Sequence, residues 1–364
     1  MKKFFISSAY IYPICPLNIN HAKMFVIADV FARYHRSKGK EVFFPIASHY
    51  SGNTAHKIAS IFQQIYDNKG KKNKEEKKIW HLYKNVYSTP NSILPTFTKP
   101  LSILNFYTQE ILWELKSLDV SGDYEAFYTT KQKDFISFIQ TIISLYEEHN
   151  LLTQNSEKKL ALNYEDMAWK NSVLAQIEKT KFTKKSQKNN VFSVLNNNSL
   201  RNDWSFLRDN GFGVPYKNKW TIDPMFDSEL FTVFDIYAKF SNLADPDKKD
   251  EIFRGIFEVL QGQKTPTTEL EKNIVEWLPC DLFVCEEHLK NWVLKKFYAE
   301  NALLDHQYHT KHYFVLGMGL LNGNRMSASR GNAILASDII NQYGPTKARL
   351  IILMQGGHPS KTYY

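Results

Sequence analysis

SSAYIYPICPLNINHAKM, residues Ser7 to Met24, is the stretch that decides how the rest of the chain is read. An apolar run, Phe4-Phe5-Ile6, leads into it, so a strand is expected over Lys3 to Ser8. Pro13 and Pro16 then force a loop. From Ala22 to Lys38 apolar residues such as Phe25, Ala28 and Phe31 form a broad helical face, and Gly39 ends the run. Strand, loop and helix in that order make the first unit of a nucleotide-binding α/β sheet. His21 falls at or near the start of the helix, where backbone N–H groups attract anions.

The pattern continues with a buried strand, Glu41 to Ile46, a turn at Gly52-Asn53 and a helix, Thr54 to Asp67. A charged insertion, Asp67 to Lys78, and a proline-bearing loop, Tyr83 to Pro100, come next. Amphipathic helices are expected over Ser102 to Leu118 and Phe135 to Asn150, with a junction from Leu151 to Leu162 and a further helix, Asn163 to Lys179. Thr180 to Asn198 is polar. Later elements are a short strand at Trp220 to Pro224, helices at Asp227 to Leu243 and Asp250 to Leu260, a buried strand at Cys280 to Cys285 and a helix at Glu286 to Leu304. A strand over His312 to Leu321 meets Asn322-Gly323, the strongest hairpin signal in the chain. Arg325 to Asn332 reads as a loop, and Ala336 to Tyr343 and Lys347 to Met354 as helices. Strands alternating with helices at both ends, with helical material between, indicate an α/β fold: a Rossmann-like doubly wound parallel sheet split by a mainly helical connective insertion. The expected division is 1–66 and 201–345 for the two halves of the Rossmann domain, 67–200 for the connective region and 346–364 for a C-terminal helix and tail.

Composition narrows the class. The chain has 364 residues, 43% apolar and 14% aromatic, enough for a real core. No run of eighteen uncharged apolar residues exists, so no membrane span is expected. The three cysteines, Cys15, Cys280 and Cys285, form no C-x-x-C pair, which fits a reducing cytoplasm and no cysteine-bound metal. A formal charge of +9 suits a polyanion such as RNA, although the lysines crowd into two runs, Lys69 to Lys78 and Lys179 to Lys188, of the kind that are often solvated loops.

Several blocks line up with one family. Ala9 to Ala22 resembles AYPYPNGPLHLGHA of leucyl-tRNA synthetases of the archaeal and eukaryotic-cytosolic type, with Asn18-Ile19-Asn20-His21 at the HIGH signature of class I aminoacyl-tRNA synthetases. Ser48 to Thr54 resembles the FHVTGTP turn, and Arg208 to Gly213 the W-x-x-x-R-x-x-G-x-G region. Trp220 to Ser228 resembles WVIEPLSDS, Asp281 to Trp292 the strand and helix around S-G-K-D-L, and Leu320 to Asn332 LLEGKKMSKSRGN. The family's editing insertion and anticodon-binding domain have no counterpart between Leu151 and Asn163 or after Met354. What this implies is a bare catalytic core: a ligase that joins an apolar, leucine-like amino acid to ATP as an aminoacyl adenylate, with Mg2+ accompanying ATP, and passes it to tRNA or to another acceptor.

Such chemistry needs placement and charge stabilisation more than acid–base work. The resemblance puts Asn18, His21, Arg325, Ser327 and Arg330 in catalytic positions, and Asn18, Asn20, His21, Glu287 and Met326 beside the nucleotide. It puts Tyr10, Tyr12, His49, Asp227, Ser228 and Phe231 around the amino acid, where Tyr10 and Tyr12 would wall an apolar pocket or serve as ordinary core aromatics. Departures fall on the nucleotide side. Asn18 replaces a histidine; Cys15, Asn20 and Cys285 replace glycines; Ala328 replaces the second lysine of KMSKS. Two rival readings follow: a binding module that has lost ATP chemistry, and an ATP-independent enzyme that consumes aminoacyl-tRNA with Cys15 or Ser8 as nucleophile. Lys23, Lys311 and His312 read as surface residues.

Overall fold

The computed structural model describes residues 2–68, 72–196, 204–317, 319–326, 331–354 and 362–363, with the backbone alone for Arg325, Thr362 and Tyr363. The central sheet takes strands from both ends of the chain. We label them β1 (Lys3–Ser8), β2 (Glu41–Phe43), β3 (Lys181–Phe182), β4 (Asp281–Cys285) and β5 (His312–Leu316). Their order is β2-β1-β4-β5-β3, and every pairing is parallel. The chain leaves β1 for β2 on one side and returns later to lay β4 and β5 on the other. The strand order therefore reverses between β1 and β4, and the crevice at their carboxyl ends is where such sheets bind ligands.

The first helix, α1 (Ile19–Ser37), starts three residues before the expected Ala22. The cause is local: the Asn18 side chain caps it. The helix Thr54–Asp67, which we label α2, matches the sequence reading. The expected strand over Glu41 to Ile46 is broken at Phe44. The backbone N–H of Phe44 donates to Asp123 Oδ2 at 2.7 Å, and the second piece, Pro45–Ser48, leaves the sheet to pair in parallel with Asp123–Thr129. That partner strand was not expected.

The chain departs from the sequence reading at four further places. The helix expected from Asp227 runs from Phe231 to Lys239, because Asp223 and Pro224 start a short turn of their own, Pro224–Asp227. The junction after Leu151 is a two-stranded hairpin, Leu152–Gln154 against Leu160–Leu162. The polar region after Thr180 supplies β3 and a helix, Lys185–Asn196. An unexpected helix, Glu269–Trp277, begins with a capping box in which Thr268 and Glu271 satisfy one another's backbone N–H groups. The Asn322-Gly323 hairpin is present: both residues have positive φ (50° and 78°), and Leu321 pairs with Asn324.

The core beneath the crevice is dense and aromatic. Phe31 of α1 meets Phe283 and Phe314 at ring-centroid distances of 5.3 and 4.6 Å. Among the described residues, no helix is long and apolar enough to cross a membrane.

Candidate active site

The crevice divides into two regions. On one side lie Tyr10, His49, Asp227 and Phe231. The Tyr10 ring stands 5.0 Å from that of His49 and 4.6 Å from that of Phe231. His49 is aimed by a carboxylate: its Nε2–H donates to Asp227 Oδ1 at 2.7 Å, while Ser51 Oγ donates to Asp227 Oδ2 at 2.9 Å. Asp227 is fully buried, and burial pushes its carboxyl above the usual range. The Tyr10 hydroxyl shares a short hydrogen bond with that of Tyr128, and Tyr128 donates to Asp235 Oδ1 at 2.8 Å. The Ser7 hydroxyl, at the end of β1, donates to the other oxygen of Asp235 at 2.9 Å. Burial raises Asp235 to about 7. Two buried carboxylates thus fix one tyrosine and one histidine at the rim of the crevice.

Two expected members of this group are used elsewhere. Tyr12 turns away from Tyr10, and its hydroxyl accepts the N–H of Ala55 at 3.1 Å, at the start of α2. Ser228 donates its hydroxyl to the Pro224 carbonyl at 2.5 Å and so closes the short turn before Phe231. Tyr12 and His49 both line an adjacent cleft of about 560 Å³, together with Gly52, Arg208, Phe212 and Asp223. The loop wall of this cleft depends on Gly213, at φ 155°, where a Cβ would lie 2.7 Å from the Ile222 carbonyl oxygen.

On the other side lie Asn18, Asn20 and His21. The expectation of open N–H groups at the start of α1 does not hold, because each is already taken. Asn18 Oδ1 accepts from the N–H of Asn20 at 3.0 Å and of His21 at 3.1 Å. The N–H of Ile19 goes to the Ile334 carbonyl at 2.9 Å, and that of Ala22 to the Asn18 carbonyl at 3.0 Å. Asn20, where a glycine would leave room for a base, crosses the crevice instead: its Oδ1 accepts the N–H of Gly319 at 2.8 Å, just past the end of β5. His21 sits in the first turn, and burial lowers its pKa.

Lys23 is not on the surface. It is 2% exposed, and its ammonium donates to the Gly317 carbonyl at 3.0 Å, while the nearby Cys285 counters part of the pKa lowering that burial imposes. A buried lysine amine therefore stands just past the end of β5, although the sequence reads Lys23 as a surface residue. The available signal was a lysine two residues after His21 on an otherwise apolar helix face.

Cys285 ends β4, and its N–H donates to His288 Nδ1 at 3.1 Å. Burial, helped by the proximity of His21, takes His288 down to about 4, so it is neutral near pH 7. Glu287 is exposed in the same turn. Burial pushes the Cys285 thiol up to about 12, and Cys15, half-buried beside Glu114 and Tyr87, rises equally far. Neither thiol is a ready nucleophile at neutral pH. Met326 is buried. Ser327, Ala328 and Arg330 lie outside the described residues, and nothing is assigned to the side chain of Arg325.

The sequence also hid Trp292. It packs 5.9 Å from Phe231 and 5.7 Å from His288, and its buried indole N–H has no hydrogen-bond partner among the described residues. Ser8, at the end of β1, has a buried hydroxyl in the same state.

A third element holds the crevice in shape. Glu114, buried on the helix Pro100–Ser117, accepts the N–H of Leu17 at 2.9 Å and of Ser337 at 3.2 Å. The N–H of Ala336 donates to the Leu17 carbonyl at 2.8 Å. The loop before α1 and the segment after the last hairpin are thereby tied to one carboxyl, which burial raises to about 8.

Comparison with known proteins agrees with this architecture. Residues 4–135 match the family model described as tRNA synthetases class I (M). Leucine–tRNA ligase 2 of Sulfolobus acidocaldarius is 33% identical over 138 residues, which are 38% of this chain and 14% of that protein. The leucine–tRNA ligase of Pyrococcus horikoshii is 35% identical over 130 residues, 35% of this chain and 12% of that protein. The matched stretch is thus a small part of these relatives. Across the whole chain the fold is similar to a Mycobacterium tuberculosis methionyl-tRNA synthetase solved with methionyl-adenylate, at TM-score 0.65 and 14% identity, covering 66% of that chain.

Proposed function

Because this chain folds as a class I aminoacyl-tRNA synthetase catalytic core, with leucyl-tRNA ligases of archaeal type as its sequence relatives, we propose that it activates an apolar, leucine-like amino acid. The product is an aminoacyl adenylate, made with ATP and its accompanying Mg2+ and passed to tRNA or to another acceptor. One observation carries the reading. The wall of Tyr10, His49 and Phe231, backed by Asp227 and Asp235, follows the carboxyl end of β1.

In this proposal each group has a positioning task. Phe231 and Tyr10 exclude water from an apolar side chain. His49, held by Asp227, presents its ring toward the reacting end. His21 and Lys23 supply a neutral donor and a buried cation near α1. ATP would bring the phosphoanhydride that makes the carboxylate reactive. The residues fit a nucleotide only when Asn20 releases Gly319, a rotation that breaks one hydrogen bond of 2.8 Å and reopens the space a glycine would leave. Arg325, Ser327 and Arg330 remain proposals for the pyrophosphate side, and Glu287 for the ribose side.

A second reading, an amino-acid-binding module without ATP chemistry, is favoured by one specific finding: the first N–H groups of α1 are satisfied within the protein. Amino-acid-dependent ATP–pyrophosphate exchange across the twenty amino acids separates the two. Exchange with an apolar amino acid, lost in His21→Ala, supports the ligase. Amino acid binding by calorimetry with no exchange, in the wild type and in Asn20→Gly alike, selects the module.

A further inference from the structure

The opposite rim of the sheet carries a basic groove that amino acid activation does not use. A cleft of about 630 Å³ is lined by Lys179, Lys181, Lys184, Lys185 and Lys188, with Glu178 as its one acidic residue. Its apolar lining includes Phe182, Phe192 and Phe314, with the His312 ring 3.9 Å from that of Phe314. Lys179, Lys181, Lys184 and Lys185 are exposed, and none appears in an ion pair among the described residues.

A second cleft, of about 390 Å³, shares Lys179 and Thr180 with the first and adds His306, His309 and Lys311. The two form one track. Pro279 and Lys311, which line the second cleft, lie just before β4 and β5, so this part of the track runs along the amino ends of these strands. Asn20, Lys23 and Cys285 lie at the carboxyl ends.

We propose that this track binds a single-stranded polynucleotide. Two chemical requirements meet here. Unpaired lysines on exposed backbone neutralise successive phosphates. Phe182 and Phe192, both half-buried in the cleft wall, offer ring faces on which unpaired bases stack, a contact that a duplex cannot make without opening, whereas Phe314 belongs to the core behind them. A cleft for a small anion would need neither this length nor phenylalanines among its lysines. The Lys179–Lys188 run, readable from sequence alone as a solvated loop, is gathered by β3 and the helix after it onto one surface.

The proposal goes beyond the activation chemistry and does not depend on it. The test uses the full chain, a fluorescein-labelled single-stranded RNA of about 12 nucleotides without an aminoacylatable 3′ end, and buffer without ATP or amino acid. Fluorescence anisotropy is read across a salt series. Lys181→Glu/Lys184→Glu/Lys185→Glu should weaken binding at least about tenfold and flatten the slope of log K against log salt by about two. The control Lys74→Glu/Lys77→Glu/Lys78→Glu makes the same charge change in the other lysine run and should stay within about twofold. Phe192→Ala, checked for an unchanged melting temperature, should weaken binding about fivefold while leaving the salt slope alone. Equal losses in both triple variants would show only diffuse attraction and overturn the proposal. So would duplex RNA binding as tightly as the single strand, or no wild-type binding at low salt. Failure of ATP–pyrophosphate exchange would leave this result standing, and the reverse also holds.

Discussion

The two sides of the crevice between β1 and β4 are built on opposite plans. On the side of Tyr10 and His49, buried carboxylates point outward through other side chains: Asp227 aims His49, and Asp235 acts through Tyr128 on Tyr10. On the side of Asn18 and His21, proposed above for the nucleotide, the polar groups consume one another. Asn18 takes two backbone donors of α1, and Asn20 takes the N–H of Gly319. The first side is organised to hold something; the second is at rest without it. Buried hydrogen-bond networks reward completion, because each unsatisfied partner costs the desolvation of its group. A binding surface keeps that completion incomplete, and Trp292 and Ser8 are two such groups among the described residues, although Trp277 and Tyr313 in the core share that state.

The most severe way to break this comparison is Phe231→Ala. Phe231 is 1% exposed and packs against Tyr10 and Trp292, so its loss should cost about 3 to 5 kcal/mol in stability. Amino acid affinity should fall by more than about tenfold, with any ATP affinity unchanged. Urea unfolding and calorimetry with leucine and with ATP give the three numbers. Equal losses for both ligands would show that the two sides are one unit.

The next effect is on pH. Asp235 is raised to about 7 and Glu114 to about 8, each chiefly by burial. Between pH about 4 and pH about 8 the folded chain therefore keeps protons that the unfolded chain has released. Stability contributed by these groups is complete at acid pH and is lost as pH rises through their folded values, by a few kcal/mol in all. Asp235→Asn and Glu114→Gln should each remove part of that decline. Urea midpoints from pH 5 to pH 9 check it as the difference between each variant and the wild type, because His288 at about 4 and Lys295 at about 7 contribute with the opposite sign. A variant-minus-wild-type difference that does not grow as pH rises would contradict the assignment.

How far the sequence foretold this depends on the distance between partners. β1, α2 and the Asn322-Gly323 hairpin are written in local signals, an apolar run, an amphipathic period and a positive-φ dipeptide, and they lie where those signals put them. The capping box at Thr268 and Glu271 is an equally local signal. The Asp123–Thr129 strand and β3 were not readable, because what makes them strands is a distant partner, Pro45–Ser48 in one case and β5 in the other. The site follows the same rule. His49, Asp227, Tyr10 and Phe231 were named and do converge. Tyr12 and Ser228 were named and serve α2 and a turn instead. Lys23 reads from sequence as a surface residue and Asp235 carries no local signal, since their meaning rests on contacts with Gly317, Ser7 and Tyr128 more than one hundred residues away in the chain. Trp292 gains its place from Phe231 and His288.

Asn20→Gly sharpens the contrast with a smaller effect of opposite sign. It frees the Gly319 N–H and empties the space beside it, at a helix cost of about 1 kcal/mol. ATP affinity should rise about tenfold, which is what release from one neutral hydrogen bond and its steric block amounts to. Amino acid affinity should stay the same. Calorimetry that shows no gain for ATP would mean that Asn20 does not guard the nucleotide side.

The finest test is Asn18→Ala, because it sets stability and binding against each other at one atom. Removing Oδ1 takes away the cap of α1 and should lower stability by about 1 kcal/mol. The same change exposes the N–H groups of Asn20 and His21, which then face the crevice as an anion site at a helix N-terminus. Inorganic pyrophosphate should bind the variant more tightly than the wild type, by about threefold, although the protein is less stable. Asn18→Ser, which keeps a capping oxygen, should show neither change. If Asn18→Ala loses stability without gaining anion affinity, the cap is purely structural, and the cationic side chains alone must attract whatever anion this side of the crevice receives.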